Sequence, residues 1–235
     1  MKNAKKKISF SLILLFGLLL ILGISCNVED ENIVSDISMD AQSKASDAMT
    51  LSQPNDNIFI SAYSDSLGLI YMREEEKLAR DVYDYLFVKW NSIIFDNISN
   101  SEQIHMDRVL DLINLFGMED PASNEAGVFI NEDLQNLYNN LIEIGNSSLI
   151  NALIVGATIE EVDIVDLHDY YNATDNEDIK CVYGNLTKGS RNHLRAYYHK
   201  LEWMGVTYTP QFLTEEEFYS IVNTPHEIGG TPCDF

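Results

Sequence analysis

The run Ile98-Ser-Asn-Ser-Glu-Gln-Ile-His-Met-Asp-Arg-Val-Leu-Asp-Leu-Ile-Asn-Leu-Phe116 decides the fold. Ile98, Val109, Leu112 and Phe116 recur at helical steps, and two polar residues, Glu102 and His105, fall on the same stripe. Residues i and i+3 share one face of an α-helix, so Glu102 and His105 aim at a common point. A Glu-x-x-His pair beside a Glu from a neighbouring helix is the ligand pattern of carboxylate-bridged di-metal sites in four-helix bundles. The upstream run Glu74-Glu-Glu76 offers such a residue, because Glu76 continues the stripe Leu69, Met72, Ala79, Tyr83 and Leu86. Glu74 and Glu75 read instead as first-turn charges favoured by the helix dipole.

The same period organises residues 58–223 as one all-α domain. Helices are expected over 66–90, 99–116, 131–144, 147–170 and 176–204. Ser99 or Ser101 is the candidate cap of the second, and Gly117 its stop. Pro121 and Gly127 mark a long connection, or an extra short helix, between the second and third bundle helices. Gly145-Asn146 divides the third in two. The last long helix carries Val182, Leu186, Ser190, His193 and Tyr197 on one stripe and closes at Gly205. A short helix within an extended segment follows, and 224–235 form a C-terminal tail. No stretch alternates with period two for long enough to make a sheet.

Residues 1–25 stand outside that domain. Lys2, Lys5, Lys6 and Lys7 precede a nearly unbroken apolar run, Ile8 to Ile24, which reads as a secretory signal. A bare transmembrane anchor is the alternative, at the lower limit of spanning length. The segment ends in Leu22-Gly-Ile-Ser-Cys26 and there resembles a bacterial lipoprotein signal, which implies a lipid on Cys26. Residues 26–57 are rich in Asp, Asn, Ser and Gln and read as a flexible acidic tether. The chain has 15 Lys+Arg against 37 Asp+Glu, net −22, and −26 once the four leader lysines are set aside. Such a charge repels nucleic acid. Cys181 and Cys233 are either a disulfide pair or separate thiols, and no Cys-x-x-Cys supports a zinc ribbon. Neither a Gly-x-Ser-x-Gly elbow nor a phosphate-cradling glycine loop is present.

Glu76-Lys-Leu-Ala-Arg-Asp-Val-Tyr83 and Glu102-x-x-His105 are similar to the ligand segments of rubrerythrins. More closely, Arg73-Glu-Glu-Glu-Lys-Leu-Ala-Arg-Asp-Val-Tyr83, Asp120-Pro121, Gly156-Ala-Thr-Ile-Glu-Glu-Val-Asp-Ile-Val-Asp-Leu167 and Gly189-Ser-Arg-Asn-His-Leu-Arg-Ala196 resemble the ferritin-like family of domain of unknown function 2202. The resemblance spans about residues 67–221 and implies a ferritin-like four-helix bundle. Carried over by position, it makes Glu76 the first-helix carboxylate, Glu102 the bridging one and His105 its nitrogen partner. Glu160 or Glu161 matches the third helix and His193 the second histidine. Here the chain departs from the pattern, because Ser190 stands where a second bridging Glu belongs. Asp163, one turn beyond Glu160, is the candidate replacement.

Two readings follow. In the first, an envelope-anchored protein binds a di-iron or di-manganese centre through these residues and reacts with oxygen or peroxide. It would sit at the outer membrane or surface of a Gram-negative bacterium, with membrane and metal ions as partners and a homodimer left open. In the second, the bundle is a non-enzymatic binding or structural module, and Arg80, Arg108 or Arg195 pairs the same carboxylates. Tyr83 and Tyr197 are either redox-active neighbours or packing, and His168, His199 and His226 are expected at the surface.

Overall fold

Helix-forming stretches separated by capping residues give six helices and no strand among the described residues: α1 (Pro54–Trp90), α2 (Ile93–Leu115), α3 (Glu132–Gly145), α4 (Leu149–Ala173), α5 (Glu177–Trp203) and α6 (Glu215–Val222). The structure, a computed structural model, describes residues 54–233 and 235, with side chains from Ser64 onward. The leader, Cys26 and the tether up to residue 53 lie outside the described residues. No helix among the described residues is long and apolar enough to cross a membrane.

The caps explain the boundaries. Asn131, Ser148 and Asn176 each accept a hydrogen bond from a first-turn backbone N–H of α3, α4 and α5, satisfying donors that the helix itself leaves open. Thr214 and Glu217 form a reciprocal capping box on α6. α1 begins at Pro54 rather than 66, with proline at the position where its fixed φ suits a helix start. α2 begins at Ile93 rather than 99. Its cap, Ser92, makes no side-chain bond to the helix, so the usual start signature is missing. Asn91 turns the chain with φ 50°, a left-handed conformation that asparagine tolerates better than most residues.

The stripes point where their period predicts. Leu69, Met72, Tyr83 and Leu86 of α1, Val109 and Leu112 of α2, and Val182, Leu186 and Tyr197 of α5 are all buried, whereas Phe116 is exposed beyond the end of α2. Within the unit spanning residues 61–235, α4 packs on α3 and α5, α2 on α5, and α5 on α6. α1 reaches α4 through the Tyr83 hydroxyl, which donates to Glu160, and α2 through Glu76 beside His105.

The first-turn assignment of Glu74 and Glu75 is corrected by the length of α1: both sit mid-helix and are buried. Glu74 accepts from the backbone N–H groups of Ile130 (2.6 Å) and Asn131 (2.9 Å) and so ties α1 to the start of α3. Lys77, fully buried, holds the same loop by pairing Asp81 at 2.5 Å and donating to the carbonyls of Glu125 and Val128.

The C-terminal segment lies along α5 and is fastened in steps. Arg195 donates to the Ile221 carbonyl and, with Arg191, pairs Glu227 at 2.9 and 2.6 Å; Lys188 donates to the Gly229 carbonyl and Asn185 to that of Thr231. Cys181 and Cys233 form a disulfide, Cα–Cα 5.8 Å, which resolves the two alternatives left by the sequence. The hydrogen bond from Arg191, with help from Arg195, holds the Glu227 carboxyl down at about 2 against an opposing effect of partial burial. A folded value below the unfolded one stabilises the fold above pH ~4.3, and this contribution is lost as pH falls toward 2. Glu227→Gln is therefore expected to flatten the acid limb of the stability curve between about pH 4 and 2, measured by denaturant unfolding at each pH.

Candidate metal centre

Four helices send one or two titratable side chains each to a single buried point. Glu76 comes from α1, Glu102 and His105 from α2, Glu160 and Asp163 from α4, and His193 from α5, every one of them at most 8% exposed. Ligand atoms of Glu76, Glu102 and His105 converge within 4.8 Å of one another, as do those of Glu102, Glu160 and His193. Glu102 belongs to both triads.

The distances are those of convergent ligands. His105 Nδ1 lies 2.7 Å from Glu102 Oε2 and 3.2 Å from Glu76 Oε2, and His193 Nδ1 lies 2.9 Å from Glu102 Oε1 and 3.3 Å from Glu160 Oε2. Despite those short approaches, neither Glu102 oxygen meets a donor in hydrogen-bond alignment. Donor atoms each about 2.1 Å from one ion would sit about 3 Å from one another. Glu76 Oε1 and Asp163 Oδ1 are also buried without a protein partner, a costly arrangement for carboxylates that no cation compensates. The donor set of carboxylate oxygens and imidazole nitrogens suits iron, manganese or zinc. On these grounds the residues present fit a pair of divalent ions.

Burial and mutual repulsion set the protonation of the cluster. Burial, reinforced by the Glu102 charge, pushes Glu76 and Glu160 up to about 7, with His105 and His193 respectively opposing. Glu102 goes the other way: burial would raise it, but the two histidines hold it well below the usual carboxylate range. Burial disfavours the imidazolium forms, yet the facing carboxylates raise His193 to about 10 and carry His105 well up. Divalent ions held here would have to displace the protons that these shifts favour.

The shell around the cluster fixes its geometry. Tyr83 donates to Glu160 Oε1 at 2.5 Å and its ring lies 5.5 Å from that of Tyr197. His193 Nε2 meets Ser101 Oγ at 2.9 Å, and the two histidine rings stack 5.4 Å apart. Ser190 bonds Asp163 and also the Leu186 carbonyl at 3.0 Å. Burial and the three nearby glutamates push the Asp163 carboxyl up, and the hydrogen bond that Ser190 donates to it opposes them. Asp163 thus fills the space of the missing α5 carboxylate but joins neither triad.

Two expectations change. Glu161 is not part of the cluster. Its carboxylate faces the opposite side of α4, accepting from the Tyr208 hydroxyl (2.6 Å) and from the backbone N–H groups of Gln211, Phe212 and Leu213 (2.9, 2.8 and 2.9 Å). The arginines proposed as competing partners are engaged elsewhere: Arg80 with Asp81 and Gln103, Arg108 with Asp111, Arg195 with the C-terminal segment. His168, His199 and His226 are exposed, as expected.

Gly189 opens a motif named above, but the sequence assigned it no role. A Cβ there would collide with the imidazole of His105 at Nε2 and Cε1, so a glycine on α5 makes room for that α2 imidazole. Gly189→Ala is expected to turn His105 aside and weaken metal binding about 10–100-fold, with helix content unchanged, in a competition titration against a chelator.

All of these residues lie within 65–225, the range matched by a family described as uncharacterized protein domain DUF2202. The chain belongs to the DUF2202 family. A protein of Methanocaldococcus jannaschii called uncharacterized protein MJ0754 is similar to this DUF2202 chain, 53% identical over 163 residues, 69% of this chain and 88% of its own length. The crystal structure of hypothetical protein MJ0754 from Methanococcus jannaschii DSM 2661 resembles it with a TM-score of 0.67 and 53% identity, covering 68% of this chain and 92% of that one.

Proposed function

We propose that this DUF2202 protein is a ferritin-like four-helix bundle, built on α1, α2, α4 and α5, that holds two divalent metal ions, iron or manganese. The observation that carries the reading is the sharing of Glu102 by two buried triads. One ion would take Glu76, His105 and one oxygen of Glu102; the other would take Glu160, His193 and the second oxygen. Such a centre, when loaded and reduced, supplies electrons for the reduction of oxygen or peroxide. The protein's own part is to bind, orient and neutralise. Glu76, Glu102 and Glu160 offset positive charge, Tyr83 fixes the free oxygen of Glu160, and Ser101 orients His193 from behind. The packed rings of Tyr83, Tyr197 and Phe95 keep water from one side. Asp163, held by Ser190, adds a further carboxyl beside Glu76, Glu102 and Glu160 without joining either triad.

The leader, the cysteine at position 26 and the disulfide support a place in the cell envelope, tethered by lipid, because disulfides persist in oxidising compartments. A purely polar core without metal is disfavoured, since the neighbouring arginines pair elsewhere and leave two imidazoles to face the four buried carboxyl groups of Glu76, Glu102, Glu160 and Asp163. The reading is tested by loading the metal-free protein anaerobically with ferrous iron, removing excess, and counting metal. About two ions per chain are expected; none, at unchanged melting temperature, refutes it.

A further inference from the structure

The α1–α4–α5 side of the cluster continues into a second line of acidic and phenolic groups that the proposed centre does not use. On α1, Gly68, Tyr71 and Glu75 follow one another at helical steps below Glu76; on α4, Asp163, Asp166 and Tyr170 do the same beyond Glu160; on α5, Tyr183 lies two turns before Ser190. The Tyr71 hydroxyl reaches Asp166 Oδ2 at 3.4 Å, its ring lies 6.0 Å from that of Tyr170, and Tyr170 lies 6.4 Å from Tyr183. These last two rings, with Ser64, Asp65, Gly68 and Thr174, line a narrow recess whose mouth is marked by exposed Ser64 and half-buried Asp65. Between recess and cluster, three side chains that are at least nine-tenths buried present an oxygen with no protein partner: Tyr183 Oη, Glu75 Oε2 and Asp163 Oδ1.

The opposite side of the cluster differs in kind. There Tyr83, Phe95 and Tyr197 pack ring on ring, 5.5 to 6.5 Å apart, and a Cβ on Gly156 would lie 2.5 Å from the Tyr197 ring. That layer offers a charged species aromatic carbon and two phenolic oxygens, Tyr83 Oη already bonded to Glu160 and Tyr197 Oη unpartnered, and no carboxylate among its three side chains to replace lost water. From Gly68 to Glu76 the helix rises about 12 Å, and along it the acidic side carries the oxygens of Tyr71 and Glu75 from α1 and of Asp163 and Asp166 from α4.

We propose that this line is the inlet for divalent cations: an ion enters at Asp65 and the recess, exchanges hydration water for the oxygens of Tyr183, Glu75 and Asp166, and passes by Asp163 to the Glu76–His105 position. The inference rests on the metal reading above and adds to it a route and a transit residue, Glu75. Carboxylate oxygens can replace the hydration shell of a small divalent ion in steps, and an acidic cleft raises the local cation concentration.

The test is the rate of metal uptake set against its endpoint. Full-length protein, stripped of metal, is mixed anaerobically with Co²⁺ in a stopped-flow instrument, absorbance of the bound ion reports loading, and elemental analysis gives the final count. Glu75→Gln and Asp166→Asn are each expected to load about tenfold more slowly or worse while reaching the wild-type count. Wild-type rates in both variants would overturn the inlet. So would a lowered endpoint in Glu75→Gln, which would make Glu75 a ligand of the resting site. Asp166, half-buried, keeps the test sound should Glu75→Gln fail to fold. A wild-type protein that takes up no metal refutes the centre itself, a result distinct from equal rates at full loading.

Discussion

Glu102→Ala is expected to abolish the binding of both metal ions, not one. The residue is shared, so its loss leaves each position with one carboxylate and one imidazole, Glu76 with His105 and Glu160 with His193. Two divalent ions bring four positive charges and need bridging oxygen to sit close together. Replacing a residue that only orients a ligand costs about 10–100-fold in affinity, and loss of the bridge should exceed that. Glu160→Ala removes a ligand from one triad alone and should leave about one ion bound. The contrast between the two variants, read by elemental analysis after anaerobic loading, separates a shared centre from two independent sites. Folding is not the confounder it first seems. Once Glu102 is removed, each imidazole still faces a carboxylate, His105 that of Glu76 and His193 that of Glu160, so neither is left without a partner in the core. Glu102→Gln, which keeps the volume, checks this by circular dichroism.

The second large effect concerns stability. The Cys181–Cys233 link spans 52 residues of sequence. Closing a loop of that length restricts the unfolded chain enough to stabilise the fold by about 4 kcal/mol. Cys233→Ser is therefore expected to lower the melting temperature by about 10 °C under non-reducing conditions. A reducing agent should lower the wild type by a similar amount and leave the variant unaffected. The polar steps from Arg195 to Asn185 remain in the variant, so the segment should stay on α5 at low temperature. An unchanged melting temperature in Cys233→Ser would mean that the two thiols are not joined in solution.

Much of the site was legible because burial and period agree. Glu76, Glu102, His105, Glu160 and His193 each occupy an apolar stripe, and a buried charged residue on such a stripe needs a partner. The choice between Glu160 and Glu161 was harder, since adjacent residues on α4 are both buried. Only the loop at 208–213, some fifty residues downstream, shows that Glu161 has its own cradle of backbone donors. Glu74 and Glu75 were misread for the same reason: α1 extends back to Pro54, and their partners, the start of α3 and Asp166, are remote in sequence. A signal for Asp166 existed in the Asp163-x-x-Asp166 spacing beside Leu167. Gly189 opened a quoted motif but drew no role, because a helical glycine facing an imidazole looks like any other helical glycine until the facing helix is in place. The helix starts divide in the same way: α3, α4 and α5 begin close to where the period placed them, at residues whose side chains cap them, whereas α2 begins at a serine that makes no such bond.

Where the ions sit is as telling as how many bind. Crystals of the protein loaded anaerobically with iron, measured at the iron absorption edge, should give two anomalous peaks about 3.5 to 4 Å apart on either side of Glu102. One should lie beside Glu76 and His105, the other beside Glu160 and His193. A single peak away from Glu102, or none within the cluster, would contradict the shared di-metal centre.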